Sequence, residues 1–318
     1  MAQFVYIASH ENQGGILRCR LTDGGKLELL DKTPLDRPSY LCREGKKLYA
    51  LLREPFMMQS GIAEFAIQPD GALIQQGKIL PTHGTVGAHI LAVNGQVYSA
   101  NYLSGTTTRM PDRVLAHNGS SVHPKRQDCS HPHCLTLTPD GKYLCINDLG
   151  TDCIYVCTLD LEEVSRVQVP AGSGPRHLVF SPDGKYAYGS NELDSTVSVF
   201  SYEDGVLTHL QTVSSLPEGF TAENSGSAIR LSPDGRTLYA SNRGHDSVCI
   251  WDVQDSSLTG KRFLMTGGKS PREINLAGEY LLCGNEGSGT VTVFDLNTGE
   301  KTDEFPAVNP WCILPVTE

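Results

Sequence analysis

Short runs in which apolar and polar residues alternate, each opened by a glycine, recur along the whole chain. Gly184-Lys-Tyr-Ala-Tyr-Gly-Ser-Asn191 returns as Gly235-Arg-Thr-Leu-Tyr-Ala-Ser-Asn242 and Gly278-Glu-Tyr-Leu-Leu-Cys-Gly-Asn285. Upstream it reads Gly141-Lys-Tyr-Leu-Cys-Ile-Asn-Asp148, Gly95-Gln-Val-Tyr-Ser-Ala-Asn101 and Gly45-Lys-Lys-Leu-Tyr-Ala-Leu51, and Gln3-Phe-Val-Tyr-Ile-Ala-Ser9 opens the series. Successive copies lie 43, 49, 47, 43, 51 and 43 residues apart. Alternation with period two predicts strands rather than helices. A spacing of about 46 residues fits one four-stranded propeller blade. Seven copies therefore predict an all-β fold, a seven-bladed β-propeller, with residues 1–318 forming one domain.

The turns agree with the strands. Ser181-Pro-Asp-Gly184 follows the strand-like His177-Leu-Val-Phe180, and Pro-Asp-Gly returns at residues 139–141 and 233–235. Proline presets φ, aspartate caps the turn with its side chain, and glycine supplies the positive φ. A fourth copy, Pro69-Asp-Gly71, follows Ala63-Glu-Phe-Ala-Ile67 and is expected to turn an outer hairpin. The opening run, including Met1 and Ala2, reads as a second strand with no first strand before it. Asn309-Pro-Trp-Cys-Ile-Leu-Pro315 reads as a first strand with no second strand after it. Residues 308–316 are thus expected to complete the blade begun by residues 3–35, closing the ring and leaving no exposed sheet edge.

Composition narrows the function. The 318 residues include 32 Gly, and the net charge is −10 from 26 Lys+Arg against 36 Asp+Glu, with no basic run. Nucleic acid is excluded as a partner, because it demands a concentrated positive surface. No stretch approaches the ~20 apolar residues of a membrane span, so no membrane partner is expected. The N-terminus lacks the basic and long apolar regions of an export signal. Ten cysteines lie scattered in mostly apolar segments. They read as buried, reduced thiols of a cytoplasmic protein, a monomer or weak homo-oligomer.

Hairpin register points to one rim. Counting outward from the Pro-Asp-Gly turns sets Arg176 opposite Asn191–Glu192, His133 opposite Asp148, and Arg243 opposite Gly226. All lie at the hairpin end away from the turn, and so on one face of the disc. His131, His177, His245 and Arg272 gather there too, with Arg126 and Gln127 just before the His pair. Cations ringing a channel attract and focus a small anion. Cys129-Ser-His-Pro-His-Cys134 is too tightly spaced for the usual zinc patterns. No metal and no cofactor is expected.

His131-Pro-His133, Asn147-Asp-Leu-Gly-Thr-Asp152, Gly174-Pro-Arg-His177, Asn191-Glu-Leu-Asp194 and Ser241-Asn-Arg-Gly-His-Asp-Ser247 resemble, in order, the motifs of the propeller lactonases. That family includes bacterial 6-phosphogluconolactonase and the fungal carboxymuconate lactonising enzyme. Asn101-Tyr-Leu-Ser-Gly105, Arg126-Gln127 and Ser270-Pro-Arg272 fit as well, so the resemblance covers nearly the whole chain. Two positions depart from it: Ile7-Ala-Ser-His10 replaces a common Gly-Thr-Tyr-Thr start, and Ala228 stands where many members carry an acid. The resemblance implies a catalytic set of His133, Arg176, Glu192 and Arg243, with Glu192 or His133 activating water. Arg176 and Arg243 would hold the carbonyl or an anionic group. His131, His177, Arg126, Gln127, His245 and Arg272 are the accompanying substrate-binding candidates. The expected substrate is a small anionic lactone, foremost 6-phospho-D-glucono-1,5-lactone. Alternatives are another lactone or a lactonising cycloisomerase reaction on a diacid, and, in a different class, a non-catalytic propeller scaffold.

Overall fold

A computed structural model describes residues 3–317; Met1 and Ala2 of the expected opening strand lie outside the described residues. Seven four-stranded antiparallel sheets are arranged as blades around a central channel, and no helix occurs among the described residues. In blades 2 to 7 the chain runs outward from the channel. Their inner strands are Pro38–Glu44, Gly87–Val93, Pro132–Leu137, Pro175–Phe180, Ser225–Leu231 and Pro271–Ala277. Blade 1 takes its inner strand, Pro310–Thr317, from the other end of the chain, paired with Gln3–Ser9. The ring is therefore closed as the pattern predicts, by backbone hydrogen bonds between the two ends of the sequence. Inner strands touch their neighbours in chain order, and the last touches that of blade 2.

Alternation places one apolar face of each blade against the next. Trp251, Tyr188, Ile229 and Leu238, for example, pack between blades 5 and 6. The repeated asparagine ties strand two to strand three in blades 3, 5 and 7. Asn191 Nδ2 donates to Thr196 Oγ1 (2.8 Å) and Ser198 Oγ (2.9 Å), and Asn285 Nδ2 reaches Thr292 Oγ1 (3.1 Å). Pro69-Asp-Gly71 does turn the outer hairpin of blade 2. All ten cysteines are unpaired; the expectation of uniform burial fails at Cys129, which sits exposed on a loop, and Cys42 is half-buried.

One regular irregularity matters for the site. Each inner strand carries a β-bulge near the channel mouth, as at Pro175↔Asn191 followed by His177↔Ser190. The extra residues are Trp311, Ser39, Ala88, His133, Arg176 and Arg272; in blade 6 the bulge spans Ser227 and Ala228. Beyond each bulge the register shifts by one residue, which corrects the pairing counted from the turns. Asp148 faces Pro132, Asn191 faces Pro175, and Arg243 faces Ser225. A bulge re-aims a side chain that regular pleating would send between blades. Here it turns one side chain into the mouth in every blade but the sixth, whose Ser227 and Ala228 stay buried.

Candidate active site

Two recurring positions build the mouth: the bulge residue of the inner strand, and a residue at the mouth end of the second strand, within it at Arg53 and Arg243 and directly after it at Tyr102, Glu192 and Glu286. The first supplies Ser39, Ala88, His133, Arg176, Arg272 and Trp311; the second supplies Arg53, Tyr102, Glu192, Arg243 and Glu286. Together with Arg126, which a long loop before blade 4 swings inward, they line a cavity of about 410 Å³. A more open depression of about 630 Å³ adjoins it, with Arg126 and Arg243 lining both.

Glu192 is the hub. Its carboxylate Oε1 accepts from Arg126 Nη2 at 2.5 Å, and Oε2 accepts from Arg176 Nε at 3.1 Å and lies 3.0 Å from Arg243 Nη2. His133 Nε2 stands 3.9 Å from Oε2. The backbone holds this residue from both sides. Glu192 N–H donates to Gly174 O (2.7 Å), and its carbonyl accepts from Gly226 N–H (3.0 Å). Gly226 is obligatory in that contact, since a Cβ there would sit 2.2 Å from Asn191 O.

Burial alone would raise the Glu192 pKa, but Arg243, Arg176 and His133 hold its carboxyl well below the usual range. His133 is also buried, and burial, reinforced by Arg176, pushes its imidazole well below the ordinary value. It is therefore neutral near pH 7, and its Nδ1 has no hydrogen-bond partner among the described residues. Tyr102 positions the loop arginine: its hydroxyl accepts from Arg126 Nη2 at 3.2 Å. The cavity thus holds a neutral imidazole, a carboxylate engaged at both oxygens and several donor groups in one space. That arrangement can bind an anion and stabilise negative charge that develops on oxygen.

Of the residues read from the sequence, His133, Arg176, Glu192, Arg243, Arg126 and Arg272 face this cavity. Four do not. His131 is buried beside it, stacked on Tyr102 (4.3 Å) with Nδ1 2.9 Å from Tyr102 O. His177 follows the bulge and points down the channel, its ring 3.1 Å from Arg176 Nη1. Gln127 is fully buried and donates to Leu149 O (2.9 Å), bracing the loop that presents Arg126. His245 lies outside the cavity, bonded to Ser247 Oγ (2.7 Å) and packed on Phe220 and Phe263. Asp128, Cys129 and His131 also bring ligand-capable atoms within 4.8 Å of one another, outside the cavity.

Missed were Tyr102, Arg53, Glu286 and Trp311. The repeat held the signal: Trp311 in Asn309-Pro-Trp matches Arg176 in Gly174-Pro-Arg, and Asn285-Glu286 matches Asn191-Glu192.

Fold and site together define a closed β-propeller with a cationic small-ligand cavity at one mouth of its channel. Comparison with known proteins agrees and goes further. Residues 4–314 match the family described as lactonase, 7-bladed beta-propeller, and the chain belongs to that family. An uncharacterized protein of Staphylococcus epidermidis is 34 % identical over 316 residues, covering 91 % of this chain and 92 % of its own. Among solved structures, a candidate 6-phosphogluconolactonase of Bacteroides fragilis is 31 % identical with a TM-score of 0.90, covering 99 % of this chain and 98 % of that one. The periplasmic gluconolactonase PpgL of Pseudomonas aeruginosa is 27 % identical with a TM-score of 0.89, covering 100 % and 99 %.

Proposed function

We propose that this chain hydrolyses a sugar lactone bearing an anionic group, with 6-phospho-D-glucono-1,5-lactone, giving 6-phosphogluconate, as the leading substrate. One observation carries the reading. Five guanidiniums face only two carboxylates in the cavity, those of Glu192 and Glu286, around a neutral His133. The relatives support it, being named for 6-phosphogluconolactone and gluconolactone hydrolysis.

His133 is the general base in this reading. Glu192 has both oxygens occupied by guanidiniums and a depressed pKa, which makes it a weak proton acceptor. A water attacks the lactone carbonyl carbon while its proton passes to His133 Nε2. Glu192, 3.9 Å away, stabilises the imidazolium that forms. Arg176 and Arg243 donate to the tetrahedral oxyanion. As that intermediate collapses, the ring C–O bond breaks and His133 returns the proton to the leaving alkoxide. The product carboxylic acid ionises and releases one proton to solvent. Arginine's fork suits this role where lysine's single point charge does not.

The test is a pH-indicator assay with freshly made phosphorylated and unphosphorylated aldonolactones, corrected for spontaneous hydrolysis. Proton release faster than the blank, abolished in His133→Gln, is the expected result. No acceleration with any lactone would overturn the assignment and leave a binding propeller. The cytoplasmic setting is part of the same proposal, tested by fractionating cells that express the full chain.

A further inference from the structure

We propose that Arg53 and Arg272, set about the Trp311 ring, form a separate anion subsite for a phosphate monoester on the end of the substrate remote from its lactone. The proposal rests on the lactonase reading above and assigns the residues that hold the phosphate of its leading substrate.

Ring geometry provides the first argument. Inner strands follow chain order around the channel, so blade 5, which bears Arg176 and Glu192, looks across at the junction of blades 1 and 2. Trp311 comes from the bulge of blade 1, Arg53 from the end of the second strand of blade 2, and Arg272 from the bulge of blade 7. Arg53 and Trp311 therefore face Glu192 and Arg176 across the cavity, with Arg272 between the two groups on the blade 7 side. Between them the bulge residues of blades 2 and 3 are Ser39 and Ala88, small side chains that leave room for a polyol chain.

The second argument is how this wall is held. The His10 ring stacks on Trp311 at 3.5 Å and 11°. The Arg272 Cζ lies 4.1 Å from the Trp311 centroid, and that of Arg53 lies 5.2 Å from it. Trp311 Nε1–H donates to Glu286 Oε1 at 2.8 Å. With His10 on one face, Arg272 on the other and its N–H committed, the indole is no platform for a sugar. It is a rigid spacer that aims two guanidiniums. His10 stays neutral, because burial and then Arg53 push its pKa down to about 4, so it adds no charge of its own.

The third argument is charge. Glu286 is the carboxylate that pairs with Arg272, at 3.6 Å, and Arg53 pairs with none among the described residues. Burial, then Arg176 and Arg243, push the Arg272 pKa down to about 10, against the opposing pull of Glu286 and Glu192. Over the whole cavity, five arginines against two glutamates leave a surplus of three positive charges. A phosphate monoester brings about −1.5 to −2 near neutral pH. An unphosphorylated aldonolactone brings nothing to match.

The experiment compares the full-length protein with Arg53→Ala and Arg53→Lys on 6-phosphogluconolactone, gluconolactone and a carboxylate-bearing sugar lactone. The expected result is that Arg53→Ala lowers the ratio of kcat/KM for the phosphorylated over the unphosphorylated lactone at least tenfold, through KM. Arg53→Lys should restore part of it, and the carboxylate substrate should lose less than the phosphorylated one. A ratio that falls less than tenfold, or a larger loss on the carboxylate substrate, overturns the subsite. If the wild type hydrolyses none of the lactones, the lactonase reading fails, and calorimetry judges the subsite by itself. Tighter binding of 6-phosphogluconate than of gluconate, lost in Arg53→Ala, upholds it; equal binding overturns it.

Discussion

Replacing Glu192 by Gln keeps the outline of the side chain and removes the one negative charge that Arg126, Arg176 and Arg243 share. Arg126 is 41 % exposed and can turn to water, so it contributes little to the cost. Arg176 and Arg243 are 3 % and 15 % exposed and cannot. Leaving a buried ion without its partner costs about 3–5 kcal/mol. Unfolding entropy near 60 °C is about 2.1 cal/mol/K per residue, and for 318 residues that cost becomes a fall in Tm of roughly 5–7 °C. The rate should suffer more. With the two guanidiniums repelling each other across a neutral amide, the donors aimed at the oxyanion are misplaced, and each such donor is worth about 10²–10³ in kcat. Scanning calorimetry reads the first effect and pH-stat hydrolysis the second. A variant with Tm within about 1 °C of wild type and kcat within twofold would refute the view that this carboxylate organises the site. The residual activity carries a further check: if Glu192 only positions the arginines, the variant keeps an acid limb in its pH profile, because His133 remains the titrating base.

His133→Gln should lower kcat/KM by about 10²–10⁴. In the wild type, burial and Arg176 hold the imidazole below its ordinary pKa, so kcat/KM should stay flat as pH drops past 6.5 and fall only below it; a limb centred above pH 7 would contradict this. Stability should fail in acid for a related reason. His89 is buried, and burial with Arg230 and Arg176 pushes its pKa down to about 3, so below pH 6.5 the unfolded chain takes up a proton that the folded chain refuses. From pH 7 to 5 that residue alone should remove about 2 kcal/mol. His10, His133 and His177 shift in the same direction, and thermal scans across this range should show Tm falling steeply. Ending the chain at Asn309 removes the inner strand of blade 1 and bares the edge of Gln3–Ser9; the truncated protein should aggregate or unfold, as size-exclusion chromatography would report.

Most of the architecture was legible in the chain. Alternation with a spacing of about 46 residues is a local property of each blade, and the split repeat at the two termini implied closure without any knowledge of the site. The catalytic candidates with charged side chains were legible as well, because chain order alone carries His133, Arg176, Glu192 and Arg243 to one rim. What misled was register. Counting pairs from the Pro-Asp-Gly turns holds up to His177↔Ser190 and then slips by one, because the bulge adds a residue that no local propensity announces. His177, one place past the bulge, accordingly points down the channel, while Arg176 points into the mouth.

The wall formed by Arg53 and Trp311 was harder to read for a different reason. Arg53 follows Leu52, where most blades have asparagine, and Trp311 lies in a terminal strand that the repeat used only to close the ring. Their meaning depends on which blades stand opposite one another, and that follows from the ring rather than from any segment of it. By itself, then, the sequence determined the number of blades, the manner of closure and the cationic character of one rim, because these follow from periodicity and from residue type. Tertiary structure alone decided which side chains enter the cavity. It set Glu192 among three guanidiniums drawn from two blades and a loop, and it set Arg53 and Trp311 across the channel from them. The physical reason is that a bulge and a closed ring are non-local: each side chain's direction is fixed by pairing partners and neighbours far away in the chain.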